Sequence, residues 1–208
     1  MKKSFVLGVL GLAMAAVSSL GSGYIFLDNY ISGTAPMITY GYGWPMNGVS
    51  GPLAPFGSPL NNAWTVGFYW APGNTGLNQS FGSGMPDASL TLATGIGSTA
   101  QVAGWQVFNE AGYYDAIQAF NSGSTLNTTL TLEIVVYPTV AGSYAAALYR
   151  MHSAAFTMPT GAATSPSLPS TGDYMPGVLG IFPVPEPSAL ALAGLGGLAL
   201  WLLRRKET

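Results

Sequence analysis

The sequence predicts a mainly β protein: an antiparallel β-sandwich of about seven strands, flanked by an N-terminal signal helix and a C-terminal transmembrane helix. Three observations predict it. Apolar and polar residues alternate with period 2 along the middle of the chain. Gly, Pro, Asn and Ser separate these runs with no long helical pattern between them, which favours antiparallel pairing over a parallel sheet. Each end carries a charge-free apolar stretch bounded by basic residues.

Composition narrows the function classes. At 208 residues the chain has room for one ordinary domain with appendages. Only 7% of residues are charged, against roughly 25% in an ordinary soluble domain. A mean hydropathy of +0.35 excludes an intrinsically disordered tail. The absence of Cys excludes disulfides, thiolate catalysis and Cys-ligated metals. A single His excludes multi-histidine metal sites, and no cofactor or metal is expected. Between positions 24 and 183 the one basic residue, Arg150, faces Asp28, Asp87, Glu110, Asp115, Glu133 and Asp173, a balance of −5. Nucleic acid and anionic membrane surfaces are therefore excluded as partners, since no basic patch exists to neutralise phosphates.

Residues 1–23 have the layout of a secretory signal peptide: Lys2 and Lys3, an uncharged apolar run over 5–17, then Ser18, Ser19, Gly21, Ser22 and Gly23. Cleavage by signal peptidase is expected between Ser19 and Tyr24. Strands are then predicted over 24–30, 37–40, 64–70, 89–93, 101–108, 129–136 and 154–158. Trp64, Val66, Phe68 and Trp70 share one face, as do Leu130, Leu132, Ile134 and Val136; Glu133 falls opposite, on a face expected to be solvated. Residues 112–120 and 142–150 break the alternation and are read as short helical turns. They align at an offset of 30, Ala111-Gly112-x-Tyr114-x-Ala116 against Ala141-Gly142-x-Tyr144-x-Ala146, either an old duplication or chance in an Ala/Gly/Tyr-rich chain. Over 159–183, prolines punctuate Thr, Ser, Gly and Ala, the composition of an extended stalk.

The C-terminal segment has three parts: Val184-Pro185-Glu186-Pro187-Ser188, an uncharged run over 189–203, and the basic stop Arg204, Arg205 and Lys206. A 15-residue helix spans roughly 22 Å, short of a roughly 30 Å hydrocarbon core. Trp201 and the basic cluster suit the interface. The positive end predicts that the preceding residues lie outside the cytoplasm. This tail resembles the PEP-CTERM sorting signal. The resemblance covers 184–206 and implies export, an intermediate in the inner membrane, and processing at Pro185, Glu186 and Pro187 by an exosortase-type enzyme. A plain single-span anchor is the alternative. More loosely, Gly-Tyr-Gly turns, Tyr-Trp-Ala-Pro-Gly at 69–73 and Ala-Gly-Ser-Tyr-Ala-Ala-Ala at 141–147 resemble secreted PEP-CTERM proteins of the Verrucomicrobia type, a likeness that implies an address rather than an activity.

Candidate chemistry is sparse. His152 would have to serve any Ser-His-Asp triad, but Ser153 adjoins it on a strand and points to the other face, so a partly exposed strand residue is the plainer reading. Glu110 and Asp115 flank a Gly-Tyr-Tyr turn beside Trp105 and Phe108, the pattern a small secreted carbohydrate-active hydrolase would use. Tyr42, Trp44, Tyr113 and Tyr114 sit at predicted turns, where exposed rings would stack on the apolar faces of a polysaccharide. The sequence thus yields a signal peptide at 1–23, a β domain at 24–158, a stalk at 159–183 and a sorting tail at 184–208. The function it favours is that of a non-catalytic exported protein of the cell surface or extracellular matrix. Its role would be structural or adhesive, with exopolysaccharide contact. The alternative is the hydrolase using Glu110 and Asp115.

Overall fold

The computed structural model describes residues 22–29, 37–41, 43–102, 112–163, 168–176 and 179–180. It is mainly β. Two long strands form its spine: β3 (Trp64–Pro72), after β1 (Ser22–Ile25) and β2 (Ile38–Thr39), and β7 (Thr129–Pro138), after β4 (Thr91–Leu92), β5 (Thr99–Gln101) and β6 (Phe120–Thr125). They pair antiparallel over nine successive positions, from Trp64 opposite Pro138 to Pro72 opposite Leu130. The prolines stand at the strand ends, where a missing N–H costs least.

β4 and β5 pair with the other edge of β3, and β8 (Met151–His152) and β9 (Phe156–Pro159) with the other edge of β7, all antiparallel. This six-stranded sheet is accompanied by an antiparallel pair, β1 with β6, and by a parallel pair, β2 with β10 (Leu179–Gly180). One turn of helix, α1 (Thr171–Tyr174), lies near the end. The predicted strand over 101–108 survives as β5 ending at Gln101, and its remainder lies outside the described residues.

Alternation decides the core. Val66, Phe68, Leu130, Leu132, Ile134 and Val136 share the inner face and are fully buried, with Ile25 and Leu27 packed on them. Phe120 closes edge-on against Phe68 at 5.0 Å and Trp70 at 5.7 Å. At the other end Trp64 stacks on Trp44 at 4.9 Å and meets Tyr40 edge-on at 5.8 Å. Ring pairs of this kind contribute about 0.5–1.5 kcal/mol each beyond area burial.

Several expectations change. The signal helix (1–23) and membrane helix (189–203) lie almost wholly outside the described residues, but Ser22 and Gly23 belong to β1. Among the described residues no helix is long and apolar enough to cross a membrane. Neither 112–120 nor 142–150 is helical. Tyr114 and Asp115 make isolated bridges to Val102 and Asp28, and a 3-10 turn precedes 142. The two segments do share a local conformation. Gly112 and Gly142 both have positive φ, +87° and +71°, and the tyrosine two residues on is buried in each. That left-handed step, open to glycine, turns the chain inward.

The largest change concerns the stalk. Its described residues pack on the domain. Gly161 exchanges two backbone hydrogen bonds with Tyr24, both 2.8 Å. Phe26 N–H donates to Pro169 O at 2.9 Å, and Thr171 N–H to Phe26 O at 2.9 Å. Ser170 and Thr171 are fully buried and Met175 joins the core. Proline-rich composition predicts an extended backbone, and extended backbone is also what an edge pairing needs.

Candidate functional site

Three places merit a functional reading: the pair Glu133–His152, the predicted aromatic surface, and the strap that leads into the sorting tail.

Glu133 points to the outer face of the spine, as alternation requires, yet it is fully buried. A second layer covers that face. His152, opposite Val135 in β8, turns its imidazole to the same side. Tyr144 folds over it, edge-on to Tyr69 at 6.3 Å and Tyr137 at 6.4 Å, with its hydroxyl donating to Gly84 O at 2.7 Å. The Arg150 guanidinium sits 5.2 Å above the Tyr144 ring and donates to Tyr144 O, Ala145 O and Ser83 O. Desolvation raises the Tyr144 hydroxyl pKa, with Arg150 opposing and Tyr69 and Glu133 adding to the rise. Glu133 is therefore not solvated, and His152 is buried rather than partly exposed. The period-2 pattern located the face correctly but could not show that a loop returns to cover it.

The pair has closed geometry. His152 Nδ1 is 2.9 Å from Ser153 O and 3.2 Å from Glu133 Oε2. Because a carbonyl only accepts, Nδ1 carries a proton and directs it at Ser153 O. Glu133 Oε2 is then an electrostatic neighbour, and neither carboxylate oxygen has a hydrogen-bond partner among the described residues. On the other side of the ring, a Cβ added to Gly82 would lie 3.2 Å from Nε2. The Ser153 hydroxyl donates to Ala154 O and accepts from Ile134 N–H. Serine and imidazole are engaged apart, so they form no nucleophile–base couple.

The predicted aromatic surface divides. Trp44 and Tyr114 are core residues, 0% and 1% exposed, so neither ring face is presented to a sugar. Trp44 is held between Trp64 and Tyr149. The Tyr114 hydroxyl lies 3.3 Å from Thr171 Oγ1, and burial raises its pKa far above the usual tyrosine value. Tyr113 is half-buried, and Tyr42 lies outside the described residues. Turn signals marked these rings as surface; in a chain with so few charges, aromatic residues beside turns also fill the core. Of the hydrolase pair, Asp115 is exposed and desolvation raises its carboxyl pKa. Glu110 lies outside the described residues.

The strap fixes where the tail begins. Thr171 clamps the strap to Asp28, and the adjoining Asn29 ties down the turn at 112–114. The Asn29 side chain accepts from Tyr114 N–H at 2.7 Å and donates to Gly112 O at 3.2 Å. Thr171 Oγ1 accepts from Asp28 N–H and donates to Asp28 O. The Ser170 side chain caps α1 by accepting from Gly172 N–H at 3.1 Å. The close approach requires glycine at 172, because a Cβ there would lie 2.8 Å from Asn29 Cα. β10 then places Leu179 beside Ile38 and Gly180 beside Thr39. The sorting residues Val184, Pro185, Glu186, Pro187 and Ser188 and the basic stop Arg204, Arg205 and Lys206 lie outside the described residues.

No curated protein and no solved structure matches the chain. A family model does match its tail, residues 183–206, which opens three residues beyond β10. The chain carries the PEP-CTERM protein-sorting motif, the signal of an exported, membrane-passing protein handled by an exosortase-type enzyme.

Proposed function

We propose that the chain is a non-catalytic protein of the cell surface or extracellular matrix, exported by the signal at 1–23 and released or retained through processing at Pro185–Pro187. Its β domain is the delivered cargo, with a structural or adhesive role. The observation that carries this reading is the sorting motif at 183–206. The strap supports it, since it ties the domain to the threshold of that motif and leaves four residues between Gly180 and Pro185. Fully extended, this stretch leaves the two Cα atoms at most about 18 Å apart. The domain therefore accompanies the motif closely and is not held off by a long spacer.

The closed Glu133–His152 pair favours a structural role for the chain's one histidine. Exopolysaccharide contact rests on Tyr113 and Tyr42 now that Trp44 and Tyr114 are in the core. The test is the intact mass of the protein recovered from native cells. Loss of the first ~20 residues and of the segment after Val184 is the expected result. Retention of Arg204–Thr208 in the mature protein would instead make the tail a permanent anchor and end the processing half of the reading.

A further inference from the structure

We propose that the loop over 45–57 is a membrane-contact surface that rests on the outer face of the bilayer holding the chain's own tail. The inference depends on the reading of 189–203 as a membrane span.

The loop grows directly from β2. Tyr40 N–H donates to Ser58 O and Gly57 N–H to Tyr40 O, both 2.8 Å. Its rim is closed by hydrogen bonds from Met46 N–H to Pro52 O and from Ala54 N–H to Trp44 O. The Tyr40 hydroxyl and the Asn61 amide both donate to Met46 O, and Asn47 Oδ1 accepts from Val49 and Ser50 N–H. With so many backbone groups satisfied internally, contact with an apolar phase leaves few polar groups to desolvate.

Four large apolar side chains of the loop are exposed, beside the exposed but uncharged Asn47 and Ser50. Met46, Val49, Leu53 and Phe56 are 44%, 54%, 64% and 57% exposed. No charged residue occurs anywhere from 29 to 86. Apolar side chains on a tied, uncharged loop suit a zwitterionic headgroup region. They do not suit an electrostatic partner.

The tail names the occupant. β10 runs parallel to β2, with Gly180 beside Thr39, so the chain leaves the fold from the end of that pair where 40–57 begins. Eight residues separate Gly180 from Ala189, so the two Cα atoms are at most about 32 Å apart. Anchorage keeps the loop within reach of one bilayer and makes its contact intramolecular, at a high effective concentration.

The chain has no cysteine, so a single introduced thiol labels uniquely. Full-length Val49→Cys and Thr75→Cys, each carrying an environment-sensitive fluorophore, are reconstituted into phosphatidylcholine vesicles and floated on a gradient. Thr75 is the control: it is exposed and lies by the far end of the spine, its N–H bonded to Thr131. Expected is flotation of both, with a blue shift and quenching by spin-labelled acyl chains for Val49→Cys only. Adding Leu53→Asp and Phe56→Asp should return that label to the aqueous signal. Flotation with both labels in water overturns the loop contact and leaves anchorage standing; failure to float overturns both. Burial of the Val49 label only in native membranes, and not in lipid alone, overturns the bilayer in favour of a protein partner.

Discussion

Thr171 holds both backbone groups of Asp28 with one hydroxyl, accepting from its N–H at 3.1 Å and donating to its carbonyl at 2.8 Å, across 143 positions of sequence. The Tyr114 hydroxyl lies 3.3 Å from the Thr171 hydroxyl oxygen and donates to Met175 Sδ at 3.8 Å. The strap, the stretch after β1 and the turn at 112–116 thus meet at one buried atom. Thr171→Val keeps the shape and removes the hydroxyl's hydrogen bonds to Asp28, each contributing about 0.5–1.5 kcal/mol, while Asp28 O keeps those from Ser170 Oγ and Gly172 N–H. Urea unfolding should show a loss of about 2 kcal/mol and earlier proteolysis within 160–180. A change within error would mean that the strap is not integral to the fold.

The first strand constrains the mature N-terminus. Ser122 Oγ donates to Gly23 O at 2.8 Å, and a Cβ at position 23 would lie 2.5 Å from Thr160 Oγ1. Cleavage after Gly23 would discard two residues of β1, so N-terminal sequencing of exported protein should begin at or before Ser22. A start at Tyr24 would show that β1 does not need its first half.

Glu133 and His152 should couple energetically. His152→Leu leaves the buried Glu133 carboxyl without the imidazole 3.2 Å from its Oε2, and a buried polar group that loses its neighbour costs about 1–3 kcal/mol. Replacing Glu133 by Leu in the same chain removes the buried polar group being stranded, so the double variant should be more stable than His152→Leu alone. Equilibrium urea unfolding measures both; a double variant that loses the sum of the two single changes would show no interaction.

Trp44 tests core against surface. Trp44→Ala opens a cavity beneath Trp64 and should cost about 3–5 kcal/mol. Trp44→Phe should cost much less, because the indole Nε1 is buried with no partner among the described residues and the replacement removes that orphan donor. If Trp44→Ala leaves the midpoint of thermal unfolding unchanged, the ring is not a core residue.

Alkali should unfold the protein through its buried tyrosines. Burial raises the pKa of both Tyr114 and Tyr144 above the ordinary 10.0. A folded pKa above the unfolded one means the native state holds the proton longer. Stability from these groups is complete below about pH 10 and is lost as pH rises toward the folded values. Thermal unfolding between pH 9 and 12 should fall steadily, and Tyr144→Phe should flatten the fall. An unchanged slope in that variant would remove Tyr144 as a cause.

Local pattern made much of this legible. Alternation at 64–70 and 129–136 located the two spine strands and their buried faces, because side chains on a strand alternate whatever the partner. The sorting signal was equally readable, since Pro-Glu-Pro, an apolar run and a basic end are linear features that require no fold. The burial of Glu133 was not readable. It depends on Tyr144 and Arg150 arriving from a loop whose own residues give no sign of their destination. Tyr114 and Trp44 were misplaced for the same reason: a turn signal fixes the backbone's path, not which side of it faces solvent.

By itself, the sequence determined that the chain ends in a PEP-CTERM sorting motif and which residues alternate into its two spine strands. Only the tertiary structure decided that the described residues of the Pro-rich segment, 159–163, 168–176 and 179–180, pack on the domain as a strap. Its prolines make an extended chain, and an extended chain stays solvated or pairs according to whether an edge is open to receive it. Here β1, the residue that follows it and β2 offer that edge, through Tyr24, Phe26 and Ile38.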